Sequence, residues 1–384
     1  MDFSLSEEYV MIQQAARDFA VNECLPGVIE RDEHQKFPYD QVMKLADLGF
    51  LGMMVPEQDG GAGLDMISYV LAMEEISKID ASTSVCMSVN NSLVCYGLEA
   101  FGTEEQKKKY LVPLANGKKD GALYIGAFLL SEPEAGSDAT SQRTTAEDKG
   151  DHYVINGVKN WITNGNTASV YLVIAQTHPE KGSHGINTFI VEKNWPGVRV
   201  GTKENKLGIR ASDTHSISFT DVKVPKENRI GADGFGFKFA MQTLSGGRIG
   251  IAAQALGIAS GAMERAIAYS KERKSFGTEI KNHQIIQFKI ADMATRINAA
   301  RLLCLRAAWQ KDIGQDYTES AAMAKVFASE TAMWVTTEAV QIHGGYGYVK
   351  EYHVERMMRD AKITQIYEGT SEVQRIIISR GILK

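Results

Sequence analysis

The chain has 384 residues, enough for roughly two or three buried cores. Its 44% hydrophobic and 23% charged content is that of a globular protein. The formal net charge is −5 and no basic run stands out, which argues against nucleic acid as a partner. The four cysteines, Cys24, Cys86, Cys95 and Cys304, lie far apart without a C-x-x-C pair, which argues against a disulfide framework or a metal site. No apolar run is long enough to cross a bilayer, so no membrane insertion is expected. The N-terminus opens an acidic helix, not a basic targeting peptide. The expectation is a cytoplasmic protein, with the mature form of a mitochondrial-matrix protein as the alternative.

Residues 1–120 read as a helical domain. Ser4 and Glu7 have capping-box spacing, Tyr9, Ile12, Ala16 and Phe19 recur at helical intervals, and Pro26 ends or kinks that helix. Further helices are expected over Tyr39–Leu48, Asp65–Ser77 and Glu104–Leu114. From 121 to 232 the texture becomes β-rich, with runs at Tyr153–Ile155, Val170–Ala175, Thr188–Val191 and Ser216–Phe219. Turn signals at Asn156-Gly157, Asn164-Gly165 and Pro196-Gly197 separate them, which suggests a small antiparallel sheet domain. From 233 to 384 helical texture returns in Ile249–Tyr269, His283–Lys311 and Glu319–Ile342, rich in Ala, Leu, Ile and Met, as in a helix bundle. The order α, β, α makes an α+β protein of three domains, 1–120, 121–232 and 233–384.

Several segments carry candidate chemistry. Ser131-Glu132-Pro133-Glu134-Ala135-Gly136-Ser137-Asp138 is a tight Gly-Ser loop, either plain surface or a cradle of N–H groups and hydroxyls for an electron-rich ring or phosphate. Trp161-Ile162-Thr163 is either sheet core or an aromatic wall with a hydroxyl beside it. Arg273-Lys274-Ser275-Phe276-Gly277 follows a long helix, a charged end that ordinarily means a solvated C-terminus. Gln341-Ile342-His343-Gly344-Gly345 is a glycine-rich helix end that lets a ligand approach the backbone. Ile366-Tyr367-Glu368-Gly369-Thr370-Ser371-Glu372 puts a carboxylate on a turn before a terminal helix.

This set, in this order, resembles the acyl-CoA dehydrogenase family over essentially the whole chain, most like its short-chain, butyryl-CoA type. The resemblance implies an N-terminal helical domain and a C-terminal four-helix bundle flanking a β domain, with FAD between the β domain and the bundle. It makes Glu368 the base that takes the α-proton of an acyl-CoA thioester while the β-hydrogen leaves as hydride to flavin N5. It assigns Phe128, Leu130, Ser131, Trp161, Ile162, Thr163, Arg273, Phe276, Gln284, Gln341, Gly344, Gly345, Thr370 and Glu372 to FAD, and Ser137, Ser245, Arg248, Tyr367 and Gly369 to the acyl-CoA. His343 reads as structural. Arg273, Phe276, Gln284 and the 341–345 turn would serve a flavin shared across a dimer interface, within a homotetramer. Electron-transfer flavoprotein is the implied acceptor.

Particular positions refine the resemblance. Isovaleryl- and long-chain-type members place the base immediately before the arginine equivalent to Arg248, where this chain has Gly247. Glutaryl-CoA dehydrogenases carry an arginine where this chain has Ser84, so a dicarboxylyl substrate is not expected. Ser245 replaces the usual aspartate of Leu-Asp-Gly-Gly-Arg, and Tyr96-Gly97 departs from a pattern with proline at its second position. The competing readings are an acyl-CoA oxidase, an enoyl-CoA reductase of a bifurcating complex, and a non-catalytic scaffold relative.

Overall fold

The computed structural model describes residues 4–384. Its N-terminal part comprises α1 (Glu7–Phe19), α2 (Val28–Glu33), α3 (Tyr39–Asp47), α4 (Met66–Ser77), α5 (Ala81–Ser88), α6 (Tyr96–Phe101), α7 (Glu104–Gln106) and α8 (Val112–Asn116). Helix α1 is capped by Ser6, whose hydroxyl accepts from Tyr9 N, and not by Ser4 as the spacing suggested. The later cap puts Glu7 and Glu8 in the first turn, at the positive end of the helix dipole. Helices α4 and α5 start at Asp65 and Asp80, whose carboxylates accept from Ser68 N and from Ser82 N and Thr83 N. Both helices are buried on almost every side.

Between α5 and α6 the chain widens into a π-type turn, Val89–Cys95. Its two asparagines tie this turn to the loops of its own domain, and Asn90 also reaches the β domain. Asn90 accepts from Gly126 N at 2.9 Å and donates to the Leu51 and Leu114 carbonyls, while Asn91 accepts from Met53 N and donates to the Phe50 carbonyl. Leu93, in the same turn, is thereby aimed at α9.

The β domain is built from β1 (Gly126–Leu129), β2 (Thr145–Asp148), β3 (His152–Thr163), β4 (Val170–Gln176), β5 (Ile186–Glu192), β6 (Val198–Lys203), β7 (Thr214–Pro225) and β8 (Arg229–Ile230). The strand order is β8-β5-β4-β2-β3-β7-β6. The sheet is not wholly antiparallel, because β1 runs parallel to β4, from Gly126 opposite Val170 to Leu129 opposite Val173. Asn156-Gly157 is not a turn. It lies inside β3, where the register shifts between Ile155 and Gly157, so the permissive glycine serves a bulge. Strand β3 therefore continues long enough to carry Trp161, Ile162 and Thr163 at its far end.

The C-terminal part is a bundle of α9 (Gly236–Glu272), α10 (Gln284–Asp312) and α11 (Thr318–His343), followed by α12 (Val354–Ile363) and α13 (Ser371–Ile382). Helix α11 touches α9, α10, α12 and α13, and α9 also packs on α4. The α9 face is mostly Ala, Gly and Ser, so the helices approach closely. Glu74, buried on α4, binds Arg301 of α10 at 2.5 Å and Ser260 of α9. Helix α12 is anchored through Arg359 to Asp32 of α2 at 2.7 Å, and through Asp360, which accepts from Ile209 N at 2.6 Å. These ties fix the segment that leads directly into Glu368.

Candidate active site

After α12 the chain makes a compact turn. Ile366 N and Tyr367 N both donate to the Ile363 carbonyl. Glu368 then sits at φ 54° and Gly369 at φ 95°. A left-handed glutamate is a sparsely populated state, held only where its surroundings impose it. Here Gln374 Nε2, from α13, donates to the Glu368 carbonyl at 3.3 Å and to the Gly369 carbonyl at 2.9 Å. Thr370 caps α13 by accepting from Val373 N. The Glu368 N–H has no acceptor among the described residues.

The Glu368 side chain points at α9. Its Oε2 is buried and without a hydrogen-bond partner among the described residues. Space for it exists because residue 247 is glycine: a Cβ there would lie 2.1 Å from Glu368 Oε2 and 2.9 Å from Leu93 Cδ2. Burial pushes the Glu368 carboxyl up to about 7, against the opposing pull of the Lys325 and Arg248 charges. Arg248 is itself buried. Its Nη1 donates to Ser245 Oγ at 3.1 Å, while its Nε has no partner among the described residues. Desolvation lowers its pKa, with Glu368 acting in the other direction. Ser245 Oγ donates in turn to the Met241 carbonyl at 3.0 Å, so the hydroxyl replacing the usual aspartate is engaged within its own helix. With Glu368 as the base that the resemblance implies, Gly247→Ala is expected to displace the carboxyl group and lower kcat by about 10²-fold, because a shift near 1 Å at a reacting group costs that much. Steady-state rates with FAD occupancy measured in parallel check it, and an unchanged kcat contradicts it.

One and two turns further along α9 the space is filled. Tyr69 Oη donates to Ser88 Oγ at 3.0 Å, and a Cβ at Gly250 would come within 2.7 Å of that phenol oxygen. Gln254 accepts from Tyr367 Oη and donates to the Ala81 carbonyl and Ser84 Oγ at 2.9 and 3.2 Å. Sequence reasoning missed Tyr69, Gln254 and Lys325. Their only signal is a polar residue interrupting a buried apolar stripe. Tyr96 lies beneath Lys311 Nζ (4.6 Å to its ring centroid) and beside Tyr317.

Two segments proposed for the flavin ring are joined at the β-domain edge. Asn160 N donates to the Ser131 carbonyl at 2.9 Å. Buried Lys159 donates to the Leu130 carbonyl at 3.0 Å while pairing with Glu132 at 2.7 Å. Phe128 stacks with Phe239 of α9 at 6.4 Å, which places this edge against the bundle. At the end of β3, Trp161 stands 60% exposed at φ 62°, between Asn160 and buried Ile162. Thr163 pairs with Thr214. Ser137 is on the exposed loop beyond Ala135.

A second constellation lies elsewhere. Arg273, Gly344 and Gly345 line one cleft of about 530 Å³, with Tyr269, His343 and Tyr346. His343 stacks on Tyr269 at 4.3 Å and binds the Ala339 carbonyl, a structural position. The Arg273 guanidinium has no carboxylate partner among the described residues and rests 5.6 Å from the Tyr346 ring centroid, free for an anion. A Cβ at Gly344 or Gly345 would meet open space, so a ligand can lie on that backbone. Gln341 precedes this turn, on the exposed side of α11. Phe276 tips the adjacent hairpin, 97% exposed at φ 51°, and Gln284 opens α10, also exposed. Glu372 is exposed in the first turn of α13. The 25 residues of α9 from Arg248 to Arg273 span about 37 Å at helical rise, so this cleft and Glu368 occupy different places on the molecule. Within one chain the structure gathers Glu368, Gly369, Tyr367 and Arg248, but not Arg273, Phe276 and Gln284 with them.

These donor sets fit a dinucleotide flavin: an exposed aromatic wall at the β-domain edge, an unpaired guanidinium and an open glycine turn. Comparison with known proteins agrees. Family models for the N-terminal, middle and C-terminal domains of acyl-CoA dehydrogenase match residues 6–118, 127–222 and 234–383. The chain is 51% identical over 384 residues to a short-chain-specific acyl-CoA dehydrogenase of Clostridium acetobutylicum, covering 100% of both. It is 49% identical over 380 residues to the mitochondrial short-chain-specific enzyme of Homo sapiens, covering 99% of this chain and 91% of that one. Among solved structures, butyryl-CoA dehydrogenase of Megasphaera elsdenii matches with TM-score 0.97 and 48% identity over 100% of both chains. A chain solved in work on the electron-transferring flavoprotein of Acidaminococcus fermentans and flavin-based electron bifurcation matches with TM-score 0.97 and 53% identity, again over 100% of both. The chain belongs to the acyl-CoA dehydrogenase family of FAD-dependent oxidoreductases.

Proposed function

We propose that this chain dehydrogenates short-chain acyl-CoA thioesters to trans-2-enoyl-CoA with Glu368 as the base. One observation carries the reading: a buried carboxylate with an unpartnered oxygen, held on a left-handed turn opposite a glycine that leaves it room. A free glutamate, with a pKa of about 4.3, is a poor base for a weakly acidic α-proton. Burial raises Glu368 to about 7, which matches it to neutral pH while Lys325 and Arg248 keep the charged form accessible. The acceptor-free Glu368 N–H would donate to the thioester carbonyl as charge develops there. FAD, when bound, supplies the acceptor for the hydride that leaves the β-carbon. Phe128, Leu130, Ser131, Trp161, Ile162 and Thr163 would hold its ring and exclude water. Tyr367, Gly369, Arg248 and Ser245 would line the acyl-CoA path, with Ser137 on the CoA side.

The filled floor behind Glu368 supports a short acyl chain. The Tyr69–Ser88 and Gln254–Tyr367 pairs would occupy the space that further methylenes need, and Ser84 offers no cation for a distal carboxylate. Because Arg273 lies about 37 Å along α9 from Arg248, Arg273, Phe276, Gln284, Gln341, Gly344 and Gly345 would serve a flavin reaching across to a second copy. Thr370 and Glu372 belong to the same assignment. This favours a homo-oligomer, with the tetramer as the family expectation. Electron-transfer flavoprotein as acceptor is supported by the relative from the Acidaminococcus fermentans work.

The test is kcat/KM across an acyl-CoA series. Butyryl-CoA is expected to exceed octanoyl-CoA by at least about 10²-fold, since single methylenes in a fitted pocket are worth about 1–3 kcal/mol. Equal or better use of octanoyl-CoA contradicts the short-chain reading.

A further inference from the structure

We propose that Lys325 is a positioning residue for this site: its buried ammonium holds the Gly369 carbonyl, and with it the Glu368–Gly369 turn, and keeps the Glu368 carboxylate in its charged form. The inference rests on the reading of Glu368 as base and adds to it the hold of Lys325 on the Gly369 carbonyl, a role the sequence motifs do not assign.

Lys325 lies in α11 among Ala321, Ala324, Ala328 and Ala332, on the stripe that packs into the bundle, and its side chain is 0% exposed. A fully buried lysine is rare unless paired, because desolvation of an ammonium is costly. Yet it forms no salt bridge with any carboxylate among the described residues. Its hydrogen bond goes to the Gly369 carbonyl, at 2.5 Å. That carbonyl already accepts from Gln374 Nε2 at 2.9 Å, so no orphan acceptor requires a lysine there. A neutral side chain would meet the packing demand at less cost. What the lysine adds is a positive charge one residue from the base.

The surroundings agree. The charged and titratable groups facing Glu368 are Lys325 from α11, Arg248 from α9, Tyr69 from α4 and Tyr367 from its own turn. Glu372 of α13 is the further acid near Lys325. The two cations both favour the carboxylate, and burial opposes them. Burial also lowers Lys325, to about 8, with Glu368 the largest opposing influence. Without the Lys325 charge the opposition to burial weakens and the base is protonated further into the neutral range; without its donor as well, the Gly369 carbonyl keeps only its Gln374 contact.

Two variants separate the roles. Lys325→Gln keeps a donor and removes the charge, whereas Lys325→Met removes both. The primary readout is independent of turnover: infrared difference titration of the Glu368 carboxyl band in substrate-free holoenzyme, the band being assigned by its loss in Glu368→Gln. Both variants are expected to raise the midpoint by about one pH unit or more. The acid limb of kcat/KM against pH should move with it. Lys325→Gln should regain part of its rate at high pH, and Lys325→Met should remain about 10-fold lower because the turn has lost a contact. An unshifted midpoint in FAD-loaded Lys325→Gln overturns the proposal, whether or not Lys325→Met folds. Persistent activity in Glu368→Gln would instead overturn the base assignment, while the infrared midpoint would still measure Lys325's hold on that charge.

Discussion

Glu368→Gln is expected to keep its FAD and lose turnover by about 10²–10⁴-fold, the usual contribution of a positioned general base. The amide matches the carboxylate in shape, so it fits the space left by Gly247 and leaves the turn and its Gln374 contacts intact. What it cannot do is take a proton. The pH dependence carries the same signature. With Glu368 raised to about 7 from an ordinary value of 4.5, the competent carboxylate form accumulates as pH rises through about 7, and the wild-type rate should rise with it. The stability sign is opposite. The folded state holds this proton more tightly than the unfolded chain, so this group's contribution to stability declines as pH rises from about 4.5 to about 7. Thermal melts of the glutamine variant should lack that decline. Near-normal kcat in the variant, with FAD bound, removes Glu368 as the base.

Arg273→Ala should weaken FAD retention and subunit association together. The guanidinium is exposed, has no carboxylate partner and faces the open turn at Gly344 and Gly345 in one cleft. Losing a charge-assisted contact to a pyrophosphate costs about 1.5–3 kcal/mol, or about 10–100-fold in affinity. If the flavin bridges two copies, its loss also removes an element of their interface. Equilibrium dialysis of FAD and sedimentation of the same samples check both consequences. A variant that stays fully flavinated and assembled contradicts the shared-flavin reading, while leaving the Glu368 chemistry untouched.

The parts of this site that were legible in sequence are those where backbone conformation selects the residue type. The Tyr367-Glu368-Gly369 turn, the Gly344-Gly345 helix end and the Arg273 helix terminus each break a helical pattern, and the structure makes each a turn or open cleft. The helical, β and helical blocks were likewise visible, because periodicity changes from helical to strand spacing and back. Asn156-Gly157 misled, since the same dipeptide serves a hairpin turn or a bulge and only the partner strand decides. Ser4 misled because Ser6, two residues on, caps as well and suits the acidic first turn better. Lys325, Tyr69 and Gln254 were not legible. Each reads as one polar residue in an apolar helix, and its meaning comes from partners between about 20 and 300 residues away that local pattern does not reach. Gly247 was visible as a missing carboxylate, but its positive role, making room for Glu368, needed the fold.

Anaerobic mixing of butyryl-CoA with the FAD-loaded protein and with its Glu368→Gln variant, following the flavin absorbance, isolates the proton-removal step. Rapid bleaching of the wild type is expected, with flavin left oxidised in the variant on the same timescale. Equal bleaching of both, or a wild type that no saturated acyl-CoA bleaches, would contradict dehydrogenation with Glu368 as the base.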